Sequence, residues 1–306
     1  MGNKVSGESK NTFSLRKLII YIICGIFIGV GAELPGISGG VLCVIFGIYR
    51  PIMDLISNPI KTFKTNALIV IPTLIGVAIG MFLSAKVLVW LLETYPNQGT
   101  CLFIGLIIGM LPSLFREAGQ EGRGKKSYVS MGVAFAVILG VLILLKFVAN
   151  FTVAPNFGWY MFIGFAMALS IIIPGMSYSV VLMPFKTGES GGDLYQILNS
   201  AISELDISIL VFIGIGAVVT IVLLAKPANW LMKNHYSVTF HAIIGIVIAA
   251  TAFIIPFESF AESVNSAWIN LACVAVGVGV SLVFGIIEKK TAKELIKRRV
   301  SGQSPD

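Results

Sequence analysis

Two short stretches of the chain hold residue types that could bind an anion without a metal. One is Gly31-Ala32-Glu33-Leu34-Pro35-Gly36-Ile37-Ser38-Gly39-Gly40, the other Ile173-Pro174-Gly175-Met176-Ser177-Tyr178-Ser179. Each Pro-Gly pair must interrupt a helix, because proline lacks the N–H that a helix interior uses and glycine permits a tight turn. The serine two residues later is placed to start a new helix as its N-cap. The free amides and positive dipole end of such a half-helix attract negative charge. The pattern makes Gly36, Ser38, Gly39, Gly40, Gly175 and Ser177 candidates to cradle an anionic group such as a phosphate; the alternative is that each Pro-Gly is only a helix kink filled by its neighbours.

Glu33 lies just before the first turn, deep in an apolar run, and Ile172 is its counterpart in the second stretch. A carboxylate at such depth must be protonated, paired or wetted. Two readings follow: a proton or cation coupling group, or a structural acid bonded to the turn. Four cations complete the candidate set. Arg50 and Arg116 close apolar segments, where they could hold a headgroup or simply set topology. Lys86 and Lys226 lie within apolar segments and could reach a lipid phosphate or Glu33, or snorkel to the interface.

The elements that position these groups are membrane helices. Of the 306 residues, 56% are hydrophobic and 12% charged, with a mean hydropathy of +0.91. Soluble domains carry roughly 25% charged residues. The net charge of +7 comes from basic residues that punctuate apolar runs and form no stripe, which excludes a nucleic-acid footprint. Two histidines and four cysteines without a CxxC pair give no metal centre or disulfide framework, and no cofactor is expected. No Ser-His-Asp, His-x-x-x-His or Ser-Lys constellation appears in the spans, which disfavours an intramembrane enzyme.

The chain repeats itself. In one register Gly76 meets Gly216, Ala85-Lys86 meets Ala225-Lys226, Trp90-Leu91 meets Trp230-Leu231, and Gly105 meets Gly245. With a slip of one residue, Pro35-Gly36-Ile37-Ser38 meets Pro174-Gly175-Met176-Ser177. The expected fold is an all-α polytopic membrane protein made of two tandem repeats, 18–149 and 155–288, flanked by tails 1–17 and 289–306. The first repeat holds a broken segment 18–57 and spans 67–92, 101–115 and 127–148. The second holds a broken segment 158–186 and spans 207–232, 241–256 and 266–288. Gly25-x-x-x-Gly29, Gly76-x-x-x-Gly80 and Gly105-x-x-x-Gly109 suit close helix contacts.

The first arm of the broken segment, Leu18 to Ala32, reaches about 22 Å as helix, short of the ~30 Å hydrocarbon core. It is expected to dip in, turn and return as a re-entrant hairpin. Each repeat then crosses three times and the second is inverted relative to the first. The basic residues agree: with the N-terminus inside, Lys61, Lys64, Arg116, Arg123 and the run from Lys289 to Arg299 are cytoplasmic, while Glu93, Glu189, Asp193, Glu204, Asp206, Glu258 and Glu262 fall in outer loops. Both tails are then cytoplasmic, and the N-terminus has no cleavable signal.

Gly29-x-x-Ala32-Glu33-Leu34-Pro35-Gly36-Ile37-Ser38-Gly39-Gly40, continued by Phe46-Gly47-Ile48-Tyr49, resembles the signature of the bacterial PopT-type polyprenyl-phosphate translocases. The likeness covers nearly the whole chain. It departs at Tyr178, which stands where Gly39 does in the first copy. The resemblance implies a bacterial cytoplasmic-membrane flippase returning undecaprenyl phosphate from the outer to the inner leaflet for cell-wall synthesis, coupled to protons or another ion. A homo-oligomer is compatible with it. The residues alone leave open a second reading, a transporter or channel for a small soluble anion.

Overall fold

The computed structural model describes residues 15–34, 42–43, 46–48, 51–52, 59–147, 152–172, 176–188 and 192–300. These residues form eleven helices and no strand beyond two isolated bridges, Val153 with Thr187 and Lys186 with Asp193. In chain order the helices are α1 (Leu15–Glu33), α2 (Pro59–Thr94), α3 (Pro96–Ala118), α4 (Lys125–Phe147), α5 (Phe157–Ile172), α6 (Tyr178–Leu182), α7 (Leu194–Glu204), α8 (Ile207–Asn234), α9 (Tyr236–Phe253), α10 (Phe257–Glu262) and α11 (Val264–Val300). Six carry stretches long and apolar enough to cross a bilayer: Asn66–Thr94, Pro96–Ala118, Lys125–Leu145, Ile207–Leu224, Tyr236–Phe253 and Val264–Ile287. The six spans expected from the sequence are therefore helices. At 16 residues, α5 reaches only ~24 Å.

Local chemistry sets the boundaries. Asn66 breaks α2 with φ −120° and ψ 17°, so the apolar stretch starts there. Pro96 opens α3 at a position where a missing N–H costs nothing. Asp206 caps α8 by accepting from the Ser208 and Ile209 amides at 3.0 and 3.2 Å.

Four helix pairs carry most of the packing: α1 on α2, α5 on α8, α3 on α11, and α4 on α9. Exchanging the halves, so that α1, α2, α3 and α4 become α5, α8, α9 and α11, maps this set of pairs onto itself. Glycines make the approaches possible. A side chain at Gly25 would overlap the Thr73 carbonyl and lie 2.9 Å from the Gly76 Cα. In the other half a side chain at Gly216 would overlap the Met161 carbonyl, and one at Gly164 the Ile213 carbonyl. Gly105 sits equally close to Val274 and Gly277 across the α3–α11 contact. The GxxxG spacings thus serve backbone contact. Valines, leucines and isoleucines stay exposed along α2, α4, α8 and α11, including Val133, Val137, Val222 and Leu223. Such surfaces suit lipid.

One element was not anticipated. The stretch expected as an outer loop around Asp193 and Glu204 contains α7, capped by Asp193 accepting from the Gln196 amide at 3.0 Å. Leu194, Tyr195 and Leu198 on α7 are fully buried in the largest core cluster, and α7 packs on α2. Its end is marked by Leu205 at φ 55°, a left-handed position usually taken by glycine.

Candidate functional site

The site is built from the ends of the two interrupted segments. Helix α1 stops at Glu33, and α6 starts at Tyr178, three residues after Gly175. Glu33 is fully buried, and Tyr178 is 5% exposed. The Glu33 carboxyl and the Tyr178 hydroxyl face and influence one another, yet among the described residues neither completes a hydrogen bond of good distance and angle. Helix α7 supplies the third member: Tyr195 donates from its hydroxyl to the Glu33 carbonyl at 2.9 Å. The Tyr195 ring packs 6.3 Å from Tyr178 and edge-on to Phe103 at 5.6 Å, centroid to centroid. Asn199 stiffens this corner by donating to the Tyr195 carbonyl at 2.8 Å. A carboxyl with two unsatisfied oxygens inside such a cluster is costly to keep charged, and such groups mark functional positions in membranes.

Ser177 occupies the N-cap position of α6 with extended backbone, φ −109° and ψ 130°. Its hydroxyl makes no capping bond; it pairs instead with the buried Ser179 hydroxyl at 2.7 Å. The expected cap geometry is thus met by the backbone and not by the side chain. Helix α6 has five residues, so the second break returns as a single short turn of helix. Gly36, Ser38, Gly39, Gly40, Arg50 and Gly175 lie outside the described residues.

The remaining predicted cations are not gathered at Glu33. Lys86 is exposed, with its Nζ 4.6 Å over the Phe82 ring, and Lys226 is exposed on α8. Among the described residues the one ion pair is Lys186 with Asp193, at 3.1 Å. Burial pushes the Asp193 carboxyl up, and the Lys186 ammonium and helix amides pull it back. Arg116 lines a groove between α3 and α11 together with Lys289. Among the described residues no cluster of His, Cys, Asp or Glu could hold a metal.

Sequence reasoning missed the roles of Tyr178 and Tyr195. The signal for Tyr195 was present in the amphipathic spacing Leu194, Tyr195, Leu198, Ala201 behind a capping aspartate. Nothing local marks either tyrosine as a neighbour of Glu33.

Comparison with known proteins gives one consistent result. A family model described as undecaprenyl phosphate translocase-like matches residues 8–127 and 60–272. A polyprenyl-phosphate transporter of Vibrio cholerae is 25% identical over 257 residues, 79% of this chain and 79% of that protein. A polyprenyl-phosphate transporter of Staphylococcus aureus is 25% identical over 278 residues, 88% of this chain and 96% of that one. No solved structure matches. These relatives are named as transporters and not as enzymes, and with six apolar helices the chain is a multi-pass membrane protein. By its helices and by this match along most of its length, the chain belongs to the undecaprenyl phosphate translocase-like family.

Proposed function

We propose that the protein moves a polyprenyl monophosphate, undecaprenyl phosphate, from the outer to the cytoplasmic leaflet of a bacterial cytoplasmic membrane, with Glu33 carrying the coupling ion. The carrying observation is the burial of Glu33 against Tyr178, which joins the ends of both Pro-Gly segments at one point. In this reading the two segments are re-entrant hairpins of inverted repeats, and both termini are cytoplasmic. Their turns, with Gly36, Ser38, Gly39, Gly40, Gly175 and Ser177, offer amides and hydroxyls to the phosphate. The isoprenoid tail stays in lipid, so only the headgroup needs a polar path.

The exchange-symmetric helix pairing supports two alternating states of similar energy, because the four main helix pairs map onto one another when the halves are exchanged. The relatives' names supply the substrate class. Leaflet-resolved accessibility of polyprenyl phosphate in proteoliposomes holding this protein alone tests the reading. Protein-dependent movement of the lipid is expected, and inorganic phosphate in large excess should leave it running. Uptake of inorganic phosphate with no lipid movement would replace the proposal by a soluble-anion transporter.

A further inference from the structure

A second polar feature lies away from Glu33. Between α3 and α11 runs a groove of about 350 Å³ lined by Gly109, Pro112, Ser113, Arg116, Leu282 and Lys289, with Gly285 and Ile286 on its α11 wall. Both helices are spans, so its apolar wall lies beside hydrocarbon and its cations lie where the spans end. Among the described residues neither Arg116 nor Lys289 has a carboxylate within ion-pair distance. The repeat register sets Pro256 at the counterpart of Arg116, so the other half has no matching cation there. Arg123, Lys125 and Lys126 follow α3, and Lys290 follows Lys289 on α11.

A second signal lies beside the groove, against Gly109 of its lining. Buried hydroxyls on the spans bond to the carbonyl four residues back: Thr73, Ser84, Thr220 and Thr251 all do so at 2.7 to 2.8 Å. Ser281, 2% exposed, does not, and its hydroxyl has no partner among the described residues. It rests against the bare α-carbon of Gly109, where an added Cβ would lie 3.1 Å from its Oγ. A half-buried serine, two cations without a carboxylate partner among the described residues and an aliphatic wall make a site for a small anion attached to a chain.

We infer that the α3–α11 groove is a docking site for a lipid-borne phosphate monoester, with Arg116 and Lys289 on its oxygens, Ser113 as a hydroxyl donor, and the hydrocarbon chain along Leu282 and Ile286. A monoester is favoured over a phosphodiester because two cations line one groove, and a monoester carries close to two charges near neutral pH. The site would receive or release substrate where these two spans end. The identification of the lipid rests on the transport reading above; the groove and its unpaired groups do not.

The test uses phosphatidylcholine vesicles containing the full chain and a photoreactive short-chain polyprenyl monophosphate, with labelled residues mapped by mass spectrometry. Labelling is expected at Leu282 and Ile286, about tenfold weaker or more in an Arg116→Gln, Lys289→Gln double variant. It should be kept in the charge-conserving Arg116→Lys, Lys289→Arg pair, which controls for misfolding. Unchanged labelling in the Gln variant overturns the site. Equal competition by phosphatidylglycerol overturns the monoester assignment, and equal competition by inorganic phosphate overturns the lipid-borne one. Labelling without lipid movement would sink the transport reading and leave the groove; movement without labelling would do the reverse.

Discussion

Glu33 and Tyr178, far apart in sequence and each next to a Pro-Gly break, bury a carboxyl and a phenol hydroxyl against one another at the joint between the two halves. Their interaction is close without a completed hydrogen bond. A proton moving onto or off Glu33 changes what Tyr178 can donate to. In the proposed cycle, an ion bound at Glu33 would act on both interrupted segments.

Removing the phenol hydroxyl should therefore cost transport more than stability. A hydrogen bond completed from Tyr178 to ionised Glu33 during the proposed cycle would be worth about 1.5–3 kcal/mol. Tyr178→Phe is expected to slow lipid movement by roughly tenfold and to alter its pH profile, while the melting temperature of the purified protein changes little. An unaltered rate and profile would remove Tyr178 from the coupling step.

Helix contact at the glycines should be intolerant of even small side chains. In Gly76→Val the added Cβ would overlap the Ile22 carbonyl and press on the Gly25 Cα at 2.9 Å. The cost expected from overpacking is about 1–3 kcal/mol, read as a lower melting temperature in detergent. Gly279, with nothing within 4 Å of an added Cβ, provides the comparison. Gly279→Ala should be neutral or slightly stabilising, since alanine is the better helix former. Equal stability of the two variants would contradict the close packing of α1 on α2.

Helix α7 depends on its first residue. Asp193→Ala removes the cap on the Gln196 amide and leaves Lys186 without its partner at 3.1 Å. A loss of about 1 kcal/mol is expected from the cap. Loosened α7 should also release Tyr195 from the Glu33 carbonyl. Hydrogen exchange across 194–204 should rise in the variant; unchanged protection would show that core burial alone holds this helix.

At the turns proposed to bind phosphate, Ser38→Ala and Ser177→Ala should each weaken binding of a soluble polyprenyl-monophosphate analogue by about 1 kcal/mol, the value of one neutral hydrogen bond. Calorimetry on the purified protein reads this directly. Because the Ser177 hydroxyl pairs with Ser179 and caps nothing, its loss should leave α6 in place. Unchanged affinity in both variants would argue against direct contact.

The spans were legible in the sequence because long uninterrupted apolar runs admit no other fold at this hydropathy. The equivalence of Gly76 with Gly216 and Gly105 with Gly245 also carried over into matching backbone contacts. Helix α7 was not legible: four acidic residues around it suggested solvent, and an eleven-residue amphipathic helix leaves too short a pattern to outweigh them. Glu33 stood out as an acid in an apolar run. Its neighbours did not, because Tyr178 and Tyr195 reach it only through the folding of one half onto the other. Sequence periodicity records which face of a helix is apolar, not which distant helix covers it.

Gradient-driven lipid movement by Glu33→Gln, compared with the unmodified chain in the same proteoliposomes, probes the role of the buried acid most directly. Glutamine keeps the shape and loses the titration. The variant is expected to reach the membrane at normal levels, to fail to accumulate polyprenyl phosphate in one leaflet under an imposed pH gradient, and to bind the lipid still. Full gradient-driven accumulation by Glu33→Gln would contradict the coupling role on which the proposed transport cycle rests.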